Sequence, residues 1–553
     1  MVVAIATVMA LTAGIATWAA DLDRGDVLPV GVLLPDTKAL QADYVRTFNA
    51  GDDELYTNAI PNSAAAAFML KNTPRFACPD KDIERTYYFR WWTYRKHLRH
   101  NVGLWTVSEF VPNPGWGGKD NTIVCAAGHH LREGRWLRDP QYMADYATFW
   151  LTDSWDNRWR YSSWLFTGTR LFAEVSGRDE LPFALLDDAV RYYERWERGS
   201  DGKTWPPPKG MGGDGKGGFL AFDNNEGTEA SLGGHGYRPL FASAMWSEAK
   251  SIAEVARAAG YHGLAKKFKD KAEGVRRSLF EHSWNPEVGF FTTGPKEGGW
   301  DGFRCKVREL HGYAPWYFGM PTDGRKPDWA QLADPQGFAG RHGLSFPERR
   351  AQGFSLAYKG ECNWNGPSWP FATSLALTAF MNDLHAVPAS QNLKSFQALM
   401  HQYAAQQVMK RPDGTIVPWI DENLNPDTGD WMVRTILLSR GAKNKTRERG
   451  KDYNHSTFCD LVISGLVGIV PNGCAGFTVD PLCPADWEYF VLENLRYRGH
   501  DVAIRWQRGT GLSVEVDGVI CAKRPDFGKL VVKLDNFCPP PSFEGVCLRG
   551  RIW

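Results

Sequence analysis

The chain lacks an excess of either charge. Its 553 residues carry 64 Lys and Arg against 63 Asp and Glu, a formal net charge of +1. So even a balance gives nucleic acid or an anionic membrane no global field to follow. None of its ten cysteines forms a C-x-x-C pair, which argues against a zinc ribbon and a thioredoxin-like motif. No H-E-x-x-H accompanies His97, His100, His129, His130 or His235, so these are read as hydrogen-bonding or solvated histidines and no metal site is assigned. There is no G-x-S-x-G elbow, which lowers the case for a serine esterase. Only one stretch, residues 2–20, is long and apolar enough to concern a membrane. It has no Lys or Arg ahead of it, but Thr17 and Ala19 supply the small residues of a cleavage site, so we read a secretory signal, with an anchor as the alternative. The expected location is therefore outside the cell or in an endomembrane lumen. In that setting Cys474 with Cys483 and Cys538 with Cys547 are the nearest candidates for local disulfides, and Asn444 and Asn454 head sequons.

Aromatic residues are abundant, with 24 Trp, 19 Tyr and 30 Phe. Most belong to a core, but several stand beside Gly, Pro, Asn or Asp, as in Pro114-Gly115-Trp116 and Gly299-Trp300-Asp301. Aromatics in such loops offer flat apolar faces with polar rims, the complement of a sugar's C–H face and hydroxyl edge.

From about residue 80 to 475 the apolar spacing is helical and is punctuated by Gly, Pro and Asn. Helices are expected over Leu186–Glu197, Leu240–Ala259, Gly263–Glu281, Phe371–Leu384 and Leu393–Val408. No strands alternate regularly with them, so Rossmann and TIM architectures are disfavoured. Sequential helix pairs with loops gathered at one end imply a mainly α fold, an (α/α)6 toroid. Residues 21–79 read as a loop-rich extension with some helix. After about 475 the pattern turns to alternation, with strands expected over Val502–Trp506, Leu512–Val516 and Leu530–Leu534 and turns at Gly509-Thr510-Gly511 and Asp517-Gly518. Residues 476–535 thus form a small antiparallel β-sandwich, and 536–553 an irregular tail.

Two acidic segments carry the chemistry. Asp223, Glu226 and Glu229 crowd into one short loop, where mutual repulsion and burial should hold a proton on at least one of them. Their spacing also suits Ca²⁺, but the EF-hand pattern is absent. The glycine-rich stretch Gly210–Gly218 before them is a weak phosphate-loop match, since Lys216 is followed by Gly217, and it is read as a mobile lid. Far along the chain, Asp421-Glu422 lies between the turns Pro412-Asp413-Gly414 and Asn425-Pro426-Asp427-Thr428-Gly429, which holds Glu422 at a loop mouth. Two carboxylates brought together from separate places in the chain are what hydrolysis of a glycosidic bond requires. Between them lies Trp364-Asn365-Gly366-Pro367-Ser368-Trp369, an aromatic loop suited to a sugar ring.

These segments carry a resemblance. Trp364–Trp369 looks like the W-x-G-P-x-W loop of family 63 glycoside hydrolases and their trehalase relatives. Residues 420–429 resemble the segment bearing that group's general base, and Glu226-Gly227-Thr228-Glu229-Ala230-Ser231 resembles the one bearing the general acid. All three occur in the family's order, over roughly residues 80–475, and the chain is most similar to the mannosylglycerate-hydrolase-like six-hairpin group. The resemblance implies an exo-acting, inverting glycosidase of α-linked sugars, with Glu229 as acid, Glu422 as base and no cofactor. Trp116, Lys119, Asn121, Asp223, Glu226, Trp364, Asn365 and Trp369 would bind the carbohydrate. The chain departs from the family in having Glu229 where the acid is usually Asp and Leu424 where a Tyr follows the base, which leaves the sugar open. An arabinofuranosidase or rhamnosidase on the same toroid, a phosphorylase or lyase, and a non-catalytic carbohydrate-binding protein are the alternatives. No nucleic acid is expected as partner, and a membrane only if residues 2–20 act as an anchor.

Overall fold

The structure, a computed structural model, describes residues 33–56, 58–101, 103–115, 117–118, 121–152, 156–199, 210–295, 304–442 and 448–534. The signal-like segment 2–20, the sequon at Asn444, and Cys538 with Cys547 lie outside them.

The body is an (α/α)6 toroid built of consecutive helix pairs. Pro239–Ala258 and His262–Ser283 form one antiparallel hairpin, turned at Gly260 in the left-handed region (φ +80°). Pro370–Ala386 packs against Ser390–Ala405, and Leu165–Ser176 against Ala127–Gly134 and Gln141–Thr152. Proline opens two of these helices at the first position, where its missing N–H has no intrahelical partner to lose. Close approach is secured by small residues: a Cβ on Gly168 would stand 2.8 Å from Leu131 Cδ1. Of the helices expected from the sequence, those over Leu186–Glu197, Leu240–Ala259, Gly263–Glu281 and Phe371–Leu384 are found within a few residues, at Leu186–Arg198, Pro239–Ala258, His262–Ser283 and Pro370–Ala386. The exception is the one expected over Leu393–Val408, which ends at Ala405 because Val408–Lys410 pairs with Ile416–Pro418 as a hairpin.

Buried glutamates join the helices end-on. Glu248 accepts the amides of Phe166 (3.1 Å) and Thr167 (2.7 Å), and Glu133 those of Cys459 (2.8 Å) and Asp460 (2.7 Å). Each carboxylate satisfies unpaired N–H groups at a helix start and meets the positive end of the dipole.

The C-terminal part holds two antiparallel sheets. One runs Arg75–Ala77, Tyr489–Tyr497, His500–Gln507, Gly511–Val516, Val519–Arg524; the other Ile469–Pro471, Gly476–Val479, Leu530–Lys533. Three of these were legible as alternating strands. Tyr489–Tyr497 was not, because a register shift between Leu492 and Leu495 interrupts its alternation, with Asn494 at φ +59°. Residues 21–79, expected to be loop-rich, contain the helices Thr37–Ala50 and Asn62–Asn72, and Arg75–Ala77 joins the large sheet at its edge.

Two further expectations are corrected. Cys474 is disulfide-bonded while Cys483 is a buried free thiol, so that pair does not form. Asn454 is fully buried, with Oδ1 facing Arg90 Nη2 at 3.5 Å, so the folded chain cannot carry a glycan there. Three of the histidines noted in the sequence are packed into the body: His97 bonds to the carbonyls of Ser108 and Asp452, His130 lies 2.9 Å from the Tyr146 hydroxyl, and His129 packs edge-on to Phe371.

Candidate active site

The loop of Asp223–Ser231 begins as a short 3-10 turn, Asp223–Glu226, and reverses at Gly227 (φ +69°) and Ala230 (φ +61°). Its three acids part company. Asp223 accepts its neighbour's amide, Asn224 N, and lies 3.4 Å from His235. Glu226 is fully buried: Arg238 Nε stands 2.5 Å from Oε2, and the amide of Phe241 donates to Oε1 at 2.9 Å. It caps the helix Pro239–Ala258, and the Arg238 guanidinium beside it holds its carboxyl down to about 2. Glu229, three residues on, lines a cavity of about 300 Å³. The three acids therefore do not converge on one ion, and Glu226 does not serve a substrate.

Glu422 reaches the same cavity from the other loop. Its neighbour Asp421 is the structural member of that pair: it accepts the Glu422 amide (3.1 Å) and binds Arg434 Nη2 (2.9 Å). Asn423 and Asn425 knit the loop, taking the amides of Val433 and Asp427, and Gly429 closes the turn at φ +76°. Leu424 exchanges both backbone hydrogen bonds with Ser368, at 2.8 and 3.0 Å, which fixes the base loop to the aromatic loop. Trp364 N in turn donates to Glu229 O at 2.9 Å, so the aromatic loop bridges the two acidic ones.

The aromatic loop builds a wall. Trp364, Trp369 and Phe371 stack in series, with centroids 4.4 and 4.5 Å apart and planes tilted by 25° and 16°. Trp369, sandwiched between the other two rings, lines the cavity with its edge, and the backbone carbonyl of Asn365 accepts from Ser355 N (2.9 Å). Of the expected sugar ligands in this loop, then, Trp369 alone lines the cavity. Asn121 is also committed elsewhere: its Nδ2 donates to the carbonyls of Phe110 and Pro112. Trp116 and Lys119 lie outside the described residues. The glycine-rich stretch is a small hairpin of Gly212–Gly213 with Phe219–Leu220, whose turn amides at Lys216 and Gly218 point onto Asp214 and are not available to a phosphate.

Burial pushes the Glu422 carboxyl up to about 8, with the Glu229 charge adding to the effect. Cys362 Sγ opposes the rise by donating to Glu422 Oε1 at 3.2 Å. Burial also raises Glu229, and Asp223 adds to it. Two carboxyls held above the ordinary range in a shared cavity can divide the labour of acid and base. No sequence motif marks the other polar lining groups, Glu109, Cys125, Arg160, Tyr161, Cys362, Tyr453 and His455. They arrive from at least four separate segments, and none sits at a recognisable spacing.

With that geometry in hand, the comparisons are informative. Residues 119–456 match the mannosylglycerate hydrolase MGH1-like glycoside hydrolase domain, and the chain belongs to that family. That family is described as one of glycoside hydrolase domains. Among solved structures, a protein described as a sialidase is 30% identical, with a TM-score of 0.78 over 89% of this chain. This chain spans 44% of that protein's length. A GH78-family rhamnosidase of Bacillus sp. GL1 is 12% identical, with a TM-score of 0.50 over 80% of this chain and 42% of its own, a likeness of fold.

Proposed function

We propose that the chain is an exo-acting glycosidase that cleaves an α-linked sugar with inversion, Glu229 acting as general acid and Glu422 as general base. One observation carries this reading. The two carboxylates that the sequence singles out, distant in the chain, line one cavity beside the Trp369 wall. The glycosidic oxygen receives the Glu229 proton as the bond to C1 breaks. Glu422 takes a proton from a water attacking the opposite face. Inversion calls for roughly 6.5–9.5 Å between the carboxyls so that this water fits. The small volume, about 300 Å³, supports removal of a terminal sugar over cleavage within a long chain.

A panel of natural disaccharides and aryl glycosides, including rhamnosides, arabinofuranosides and sialosides, tests the activity. Proton NMR of the first-formed anomer tests the stereochemistry. Release of the retained anomer would replace the mechanism, and binding without turnover would favour a carbohydrate-binding role. Three carboxyls against the single Arg160 make this cavity a poor host for a carboxylated sugar, so the activity named for the sialidase neighbour is not adopted.

A further inference from the structure

Buried acids in this toroid have visible reasons to be there. Asp421 is paired with Arg434, Asp460 with Arg132 and Arg135, Glu348 with Arg308, and Glu133 and Glu248 cap helices. Glu109 is different. It follows the strand Leu104–Val107, it is 6% exposed, and it lines the cavity that Glu229 and Glu422 line. Among the described residues no Lys or Arg is paired with it. The group at ion-pair distance is His455, whose Nε2 lies 3.1 Å from Glu109 Oε1. Burial keeps that imidazole uncharged.

The imidazole is oriented by a chain that starts at the aromatic wall. Trp369 Nε1–H donates to the Tyr453 hydroxyl (3.2 Å), which stands 2.6 Å from His455 Nδ1. With the phenol proton directed to Nδ1, the neutral ring carries its own proton on Nε2, an atom close to Glu109 Oε1 that makes no hydrogen bond. The backbone is tied in parallel, Asn454 N donating to Glu109 O at 3.3 Å. The ring is thus set by the side chains of Tyr453 and Trp369, and the segment that carries it is tied to Glu109 through the backbone, which leaves Nε2 and the carboxyl side by side at the cavity wall. A buried carboxyl without a countercharge holds its proton, and its oxygens remain at the cavity wall for a polar group that enters.

We infer that Glu109 is a third functional carboxyl of the site, binding a hydroxyl of the sugar that is cleaved and so selecting among epimers at that carbon. The inference rests on the assignment of this cavity as the glycosidase site. The ligand class is a neutral sugar with a hydroxyl that meets Glu109 beside the edge of Trp369. Burial and the charges of Glu422 and Glu229 favour a protonated Glu109 in the empty cavity, and a carboxyl in either state can bond a hydroxyl.

The test is a cycle between Glu109→Gln and a series of monodeoxy analogues of the best aryl glycoside. On the parent glycoside the variant should lose about 10–100-fold in kcat/KM, the scale of one strong hydrogen bond. For one analogue, the one lacking the contacted hydroxyl, wild type and variant should differ by less than about threefold, because the interaction is already gone. A purely structural role lowers every substrate by the same factor, and that uniform result overturns the inference, as does a variant within threefold of wild type on the parent. If Glu109→Gln folds poorly, Glu109→Asp, which keeps the carboxyl and retracts it by one methylene, is carried through the same series. Glu229→Gln and Glu422→Gln are run alongside: activity retained in both removes the site assignment itself, whereas activity lost in both with a uniform Glu109 factor removes the inference alone. Should wild type cleave no glycoside, calorimetric binding of the parent sugar and its deoxy forms replaces kcat/KM, and equal affinities in wild type and variant overturn the inference.

Discussion

Glu226 Oε2 lies 2.5 Å from Arg238 Nε, both side chains fully buried, while Glu229 three residues later faces the cavity. The same separation occurs in the second loop, where Asp421 is bound to Arg434 and no cation among the described residues is ion-paired with Glu422. Each acidic segment contains one carboxylate that holds the loop and one that the loop presents.

Glu226→Ala should therefore destabilise the fold rather than alter substrate binding. Removing one partner of a buried ion pair costs about 3–5 kcal/mol, and a helix cap is lost with it. Denaturant unfolding should show the loss. Near-normal stability together with a raised KM would return Glu226 to the substrate.

Glu229→Gln should abolish turnover of glycosides with poor leaving groups, a loss of about 10²–10⁴-fold, while activated aryl glycosides keep measurable rates because they need little protonation. Equal losses on both substrate types would mean that Glu229 is not the acid.

Glu422→Ala should lower kcat for good and poor leaving groups alike by about 10²–10⁴-fold with little change in affinity. Added azide should restore turnover or give a product of inverted configuration. Rates within a few-fold of wild type would end the mechanism.

Glu422 also links activity and stability to pH. Its folded value, about 8, lies above that of an exposed carboxylate, so the folded state holds a proton that the unfolded chain releases. Stability conferred on the protonated form is present at low pH and declines as pH rises from about 4.5 through 8. Glu422→Gln, neutral throughout, should flatten that decline and raise Tm at pH 8.5 by about 1–3 °C. A variant whose Tm tracks wild type across the range would contradict the raised value.

Cys362 should show itself in the pH–rate profile. Its thiol donates to Glu422 and favours the ionised form, so Cys362→Ala should push the base upward and move the acidic limb of kcat/KM to higher pH, whereas Cys362→Ser should keep it near wild type. Superimposable profiles for all three proteins would show that the contact does not tune the base.

The sequence by itself determined the helical body, through apolar residues at 3.6-residue spacing bounded by proline and glycine, and the order of the three motif loops. It also determined that Glu229, Glu422 and Trp369 belong together. Local periodicity and turn chemistry are short-range properties, and a linear string records them. The motif resemblance named Glu229 and Glu422 as the acid and base, but it did not reveal that Glu226 and Asp421 hold their loops, because that depends on Arg238 and Arg434 arriving to neutralise them. Nor did it reveal Glu109, Cys362, Tyr453 or His455 in the cavity, or the strand Arg75–Ala77 at the edge of a sheet otherwise made of residues 489–524. These are decided by contacts between segments hundreds of residues apart. Burial and the identity of the facing group, rather than residue type, set what each carboxyl does.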